Sequence, residues 1–62
     1  MSFICYVFQA GKTVPYMEAA PGDTFSGAWD LARSLLGDHT DAIAVEIIED
    51  DCETPVARLV RP

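Results

Sequence analysis

Thr24-Phe25-Ser26-Gly27-Ala28-Trp29-Asp30-Leu31-Ala32-Arg33-Ser34-Leu35-Leu36 is the stretch on which the fold turns. Phe25, Ala28, Trp29, Ala32, Leu35 and Leu36 recur at helical spacing and form one apolar stripe. Ser26, Asp30, Arg33 and Ser34 make the wet side, and Leu31 is the one large apolar residue off the stripe. Asp23 or Thr24 supplies an N-cap after the turn Pro21-Gly22, and Gly37 suits the residue beyond the last turn. The spacing predicts a helix over about Thr24–Leu36. Trp29 reads as its largest core plug, packed on Ile43, Val45 and Ile47, and not as a binding aromatic. Gly27 falls on the outer side, at a cost of about 1 kcal/mol relative to Ala.

On either side of this helix the period changes from helical to alternating. Ser2–Gln9 is aromatic and β-branched on both alternating sets, which suits an interior strand. Ala10-Gly11-Lys12 is a turn with a glycine free to take positive φ. Thr13–Glu18 reads as a second strand with Val14 and Tyr16 on one face. Pro15 cannot donate to a ladder, which puts this strand at a sheet edge. After the loop Asp38-His39-Thr40-Asp41, Ala42–Glu49 reads as a third strand. Ile43, Val45 and Ile47 would face the helix, and Ala44, Glu46 and Ile48 would face away. Thr54–Val60 is the fourth. The fold class expected is therefore α+β: β-β-α-β-β, a four-stranded antiparallel sheet with one helix packed on one face, in one domain over residues 1–62.

One helix covers only one sheet face. Tyr6, Tyr16 and Ile48, or their neighbours in the other register, would be left open. Half of the 62 residues are hydrophobic, and a chain this short has a marginal core. An open, half-apolar sheet face usually marks an interface, so a homodimer or a heterologous partner is expected there.

Charge points elsewhere. Ten acidic residues oppose four cations, Lys12, Arg33, Arg58 and Arg61, for a net charge of −6. Five of the ten acids fall in Glu46-Ile47-Ile48-Glu49-Asp50-Asp51-Cys52-Glu53. Scattered cations cannot supply the counterion release on which phosphate binding depends, so direct nucleic-acid binding is not expected. An anionic membrane would repel the chain for the same reason. The partner implied is a basic protein, with a nucleic-acid-binding complex as one possibility. Glu46, Glu49, Asp50, Asp51 and Glu53 are the candidate partner-binding residues.

No catalytic or metal-binding motif stands out, and neither an enzyme nor a cofactor is expected. His39 with Asp38 and Asp41 forms a polar loop without a nucleophile beside it or the further ligand a metal site needs. The acids of the last turn do not match a calcium loop. The four glycines make no phosphate-binding spacing. Cys5 and Cys52 are too few for a disulfide framework, and Cys5 reads as a buried strand residue. No signal peptide or membrane span is read, so the compartment expected is cytoplasmic.

These features favour a small acidic binding protein that inhibits by presenting carboxylates to a basic nucleic-acid-binding surface. By analogy of size and charge alone, phage-encoded inhibitors of bacterial defence complexes, anti-CRISPR proteins among them, are a class of that kind. The alternative is a self-associating accessory or antitoxin-like protein that binds through the apolar sheet face. A small enzyme ranks third.

Overall fold

The computed structural model describes residues 2–50, 52 and 54–61. Strands β1 (Phe3–Gln9) and β2 (Tyr16–Ala19) precede helix α1 (Phe25–Asp38), and β3 (Ala42–Glu49) and β4 (Ala57–Val60) follow it. All pairings are antiparallel, in the order β2-β1-β3-β4. The expected β-β-α-β-β sheet with one helix on one face is what the chain forms. β2 and β4 are both shorter than their sequence spans, because Thr13–Pro15 and Thr54–Val56 belong to the connections.

The turn after β1 works through its glycine. Gly11 adopts φ 76°, and the Lys12 N–H donates to Gln9 O at 3.2 Å. Thr24 is the N-cap of α1, its hydroxyl accepting from the Gly27 N–H at 3.1 Å. A Cβ on Gly27 would lie 3.2 Å from Thr24 Oγ1, so Gly27 makes room for the cap that starts its own helix.

The core lies between α1 and the two central strands. Phe3, Cys5 and Val7 of β1, Val45 and Ile47 of β3, Ala42, and Ala28, Ala32 and Leu35 of α1 form one buried cluster. Leu31, Leu36, Ala57 and Leu59 pack on its margin. The helix thus rests on Ala28 and Ala32, whose small side chains let its backbone come close to the sheet. The Cys5 thiol donates to Ala28 O at 3.6 Å across that contact.

Four local expectations are corrected. Trp29 is 36% exposed and is not the core plug. The buried stripe is Ala28, Ala32 and Leu35, with Leu31 and Leu36 half-buried beside it, because close approach of small residues displaces Phe25 and Trp29 to the flank. Ile43 is 55% exposed and does not face the helix. The β1–β3 register shifts between Phe8, paired with Ala44, and Gln9, paired with Ala42. Ile43 is therefore the extra residue of a β-bulge, outside the alternation that the rest of β3 obeys. Tyr16 pairs with Val7 and so shares the helix-side face, leaving Met17 opposite Tyr6 on the open face.

Finally, the helix does not stop at Gly37 but runs to Asp38. The His39 N–H donates to Leu35 O at 3.0 Å, and the end is held from outside by Arg61. The Arg61 guanidinium donates to Leu36 O, to His39 O at 2.7 Å and, through Nε, to Ala42 O at 2.7 Å. A cation on the last carbonyls of a helix also complements its dipole. Arg61→Ala is expected to cost about 1–2 kcal/mol and to fray the last helical turn. Urea unfolding and the amide exchange of residues 35–39 check this.

Candidate binding surface

The acidic residues of the last hairpin are separated by the pleat. Glu46 pairs with Tyr6 and Arg58 across its neighbouring strands, and Glu49 pairs with Phe3. Their positions differ by three, so they lie on opposite faces of the sheet. Glu46 is on the face without the helix, where its Oε2 lies 3.6 Å from Arg58 Nε. Because the Arg58 side chain is 60% exposed, this ion pair contributes about 0–1 kcal/mol. It does neutralise Glu46 locally. Asp50 is exposed in the turn, and its backbone N–H donates to Ser2 O at 2.8 Å. Asp51 and Glu53 lie outside the described residues. Of the five candidate acids, Glu49 and Asp50 are chain neighbours at the strand end, and Glu46 stands apart from them.

The loop at the other end of the sheet is tied by polar contacts. Gln9 Nε2 donates to both Asp41 carboxylate oxygens, at 3.1 and 3.2 Å, and this holds the Asp41 carboxyl below its ordinary range. The His39 ring stacks at a tilt on Tyr16, with centroids 5.1 Å apart. The Tyr16 hydroxyl donates to Glu18 Oε1 at 2.8 Å, which raises its phenol above the ordinary value. Among the described residues, no group of three His, Cys, Asp or Glu side chains is placed to hold a metal ion. No helix among them is long and apolar enough to cross a membrane.

A coherent surface is formed by the sheet face without the helix. Strand register puts Ile4, Tyr6 and Phe8 of β1 in its middle row. Met17 and Ala19 of β2 flank them on one side, and Ala44 and Ile48 of β3 and Val60 of β4 on the other. Met17 and Val60 are 56% and 57% exposed. Among the described residues of the four strands, the charges on this face are Glu46 and Arg58, which pair with each other. The face is thus apolar and carries no net charge, within a chain of net charge −6.

The remaining surface feature is on the helix side. Phe25 and Trp29 lie at the flank of α1, their ring centroids 6.0 Å apart. Beside Trp29, three of the four cations, Arg33, Arg58 and Arg61, border one open groove between α1 and β4. Cations that read as scattered in the sequence are therefore gathered by the fold.

The fold and surface define a class: a one-helix α+β domain with a bare, neutral, apolar sheet face. Compared with known proteins, the chain matches no family model, no curated protein and no solved structure.

Proposed function

We propose that this chain is a small, acidic, non-enzymatic binding protein that engages a protein partner through the sheet face without the helix. The observation that carries this reading is the face itself: seven apolar side chains, exposed or half-buried, in register around one internally paired Glu46–Arg58. Met17 and Val60 are more than half exposed and Ile4, Tyr6, Phe8 and Ile48 are half-buried, so a partner covering this row removes their remaining apolar surface from water. The acidic remainder of the surface selects a basic partner and speeds its approach. The proposal places the protein in the cytoplasm, where its two free thiols stay reduced.

The same face also suits a second copy. An isologous interface requires a self-complementary patch, and a face with one acid beside one base meets itself favourably across a two-fold axis. Sedimentation at micromolar concentration is expected to show a dimer. Met17→Lys combined with Ala19→Lys places like charges on the face at two exposed positions and is expected to give a monomer. Its fold should be unaffected, since surface substitutions of this kind stay within about 0.5 kcal/mol. A monomeric parent would remove the self-association part of the proposal.

A second reading has its own support. Among the described residues, Glu46 is the one carboxylate within 4 Å of a cation, so the other acids keep their field. That favours an inhibitor presenting Glu49, Asp50, Asp51 and Glu53 to a basic nucleic-acid-binding surface, with Glu46 as a further member. Affinity capture from the native host with three proteins separates the readings. Loss of the partner with Met17→Lys/Ala19→Lys, and its retention with Asp50→Lys/Asp51→Lys, supports the sheet face. The reverse pattern, with binding that weakens steeply as salt rises, supports the carboxylate-presenting inhibitor and rejects the first reading.

A further inference from the structure

An open groove of about 430 Å³ runs between α1, from Trp29 onward, and strand β4. Three independent features meet there. Its outer wall is β4, an edge strand of the sheet, and an edge strand presents unpaired N–H and C=O groups on its free side. Its inner wall is Trp29 and Leu36, with Leu59 at the floor and the Trp29 ring only partly covered. Among the described residues, its lining includes three of the four cations, Arg58 among them paired with Glu46, and no carboxylate.

These cations differ in their freedom. Arg61 is fixed by its bonds to the carbonyls of Leu36, His39 and Ala42, so it contributes a rigid positive charge at the helix end. Arg58 leans toward Glu46 on the other face and stands at the outer lip. Arg33 is exposed on α1, and among the described residues no carboxylate lies within 4 Å of it.

We propose that the groove takes an extended acidic segment of a partner protein, which adds to β4 as a fifth strand. Main-chain bonds to the free edge supply the pairing, and alternate side chains supply the choice of sequence. On the helix side, side chains of the segment meet Trp29, Leu36 and Arg33. On the other side they meet Arg58. Pro55 precedes β4, and the strand has four residues, so the added strand is short and charge matching carries much of its affinity. This site shares Arg58 and Val60 with the rim of the bare sheet face, but its occupant lies along the free edge of β4 and not across the sheet.

Trp29 is the one tryptophan in the chain, so its fluorescence reports on the groove directly. The probe is a blocked hexapeptide of alternating valine and glutamate. Titrating it is expected to give a saturable blue shift of Trp29 emission, with amide shifts over Ala57–Val60 in the nuclear magnetic resonance spectrum. Arg33→Glu is expected to weaken binding by about tenfold or more, because a charge-assisted contact becomes a repulsion. Arg33 is exposed, so the variant stays folded, and circular dichroism checks this. The same peptide N-methylated at alternate amides on the pairing edge is expected not to bind. Three results would each overturn the proposal: no saturable change in Trp29 emission, equal binding of a valine–lysine hexapeptide, or undiminished binding of the N-methylated peptide.

Discussion

Ile47→Ala is expected to destabilise the protein by about 2–5 kcal/mol. Ile47 is the largest of the fully buried side chains and sits on β3 between Cys5 of β1 and Ala57 of β4, beneath the helix. Its loss leaves a cavity that Ala28 and Ala32 cannot fill, because they have no rotamers to move. At about 0.05–0.15 kcal/mol per residue, a domain of this size has only some 3–9 kcal/mol in total. The variant is therefore expected to be largely unfolded at room temperature, or to lose most of its urea resistance. Trp29→Ala provides the contrast. Judged by bulk, Trp29 would rank as the costlier loss, at about 3–5 kcal/mol for a buried tryptophan. At the flank it is expected to cost well under the Ile47 value. Urea titrations of the two variants, followed by circular dichroism, check the order. A Trp29→Ala variant less stable than Ile47→Ala would show that the aromatic flank, and not the alanine stripe, holds the helix.

Cys5 is expected to react with a thiol reagent at least about a hundredfold more slowly than Cys52, because opening the core costs most of the folding free energy. Cys5 is fully buried and donates to Ala28 O, whereas Cys52 is exposed. Burial, and after it the charge of Glu18, raises the Cys5 thiol above its ordinary value of 9.0. A thiol raised in the folded state favours folding while it stays protonated. Stability is thus unaffected by this group at neutral pH and falls as pH rises past the ordinary thiol range. Tyr16, raised by its bond to Glu18, acts in the same direction at higher pH. Cys5→Ala is expected to delay the alkaline loss. Labelling kinetics followed by mass spectrometry, with urea midpoints at neutral and alkaline pH, test both halves. Equal reactivity of the two cysteines would mean that the helix opens from the sheet without global unfolding.

The element order was legible because the period switches cleanly at both ends of the Thr24–Leu36 segment, and the limits of β3 follow from its alternation. The helix face was harder to read. Phe25 and Trp29 compete with Leu31 for the inward position on neighbouring stripes of the same helix. Hydrophobic bulk favours the aromatics, whereas the geometry of a small sheet favours Ala28 and Ala32. Nothing in the local sequence marks Ile43 as a bulge, since no glycine stands there. The face of Tyr16 depends on the length of the preceding turn, and a slip of one residue inverts a strand. Gly37 misled because the helix end is capped by Arg61, 24 positions later in the chain. The separation of Glu46 from Glu49 was readable all along, since three steps along a strand always change face. Its pairing with Arg58 required the β3–β4 register.

A short edge strand is ordinarily among the first parts of a sheet to fray. Here it is fastened. Arg61 follows β4 directly and reaches the end of α1, the His39 loop and the start of β3 together. Peeling β4 from the sheet therefore strips the helix of its cap, and unwinding the last helical turn loosens the strand. The two walls of the Trp29 groove should open and close as one cooperative unit, with matched hydrogen-exchange rates. Occupying either wall would then steady the other.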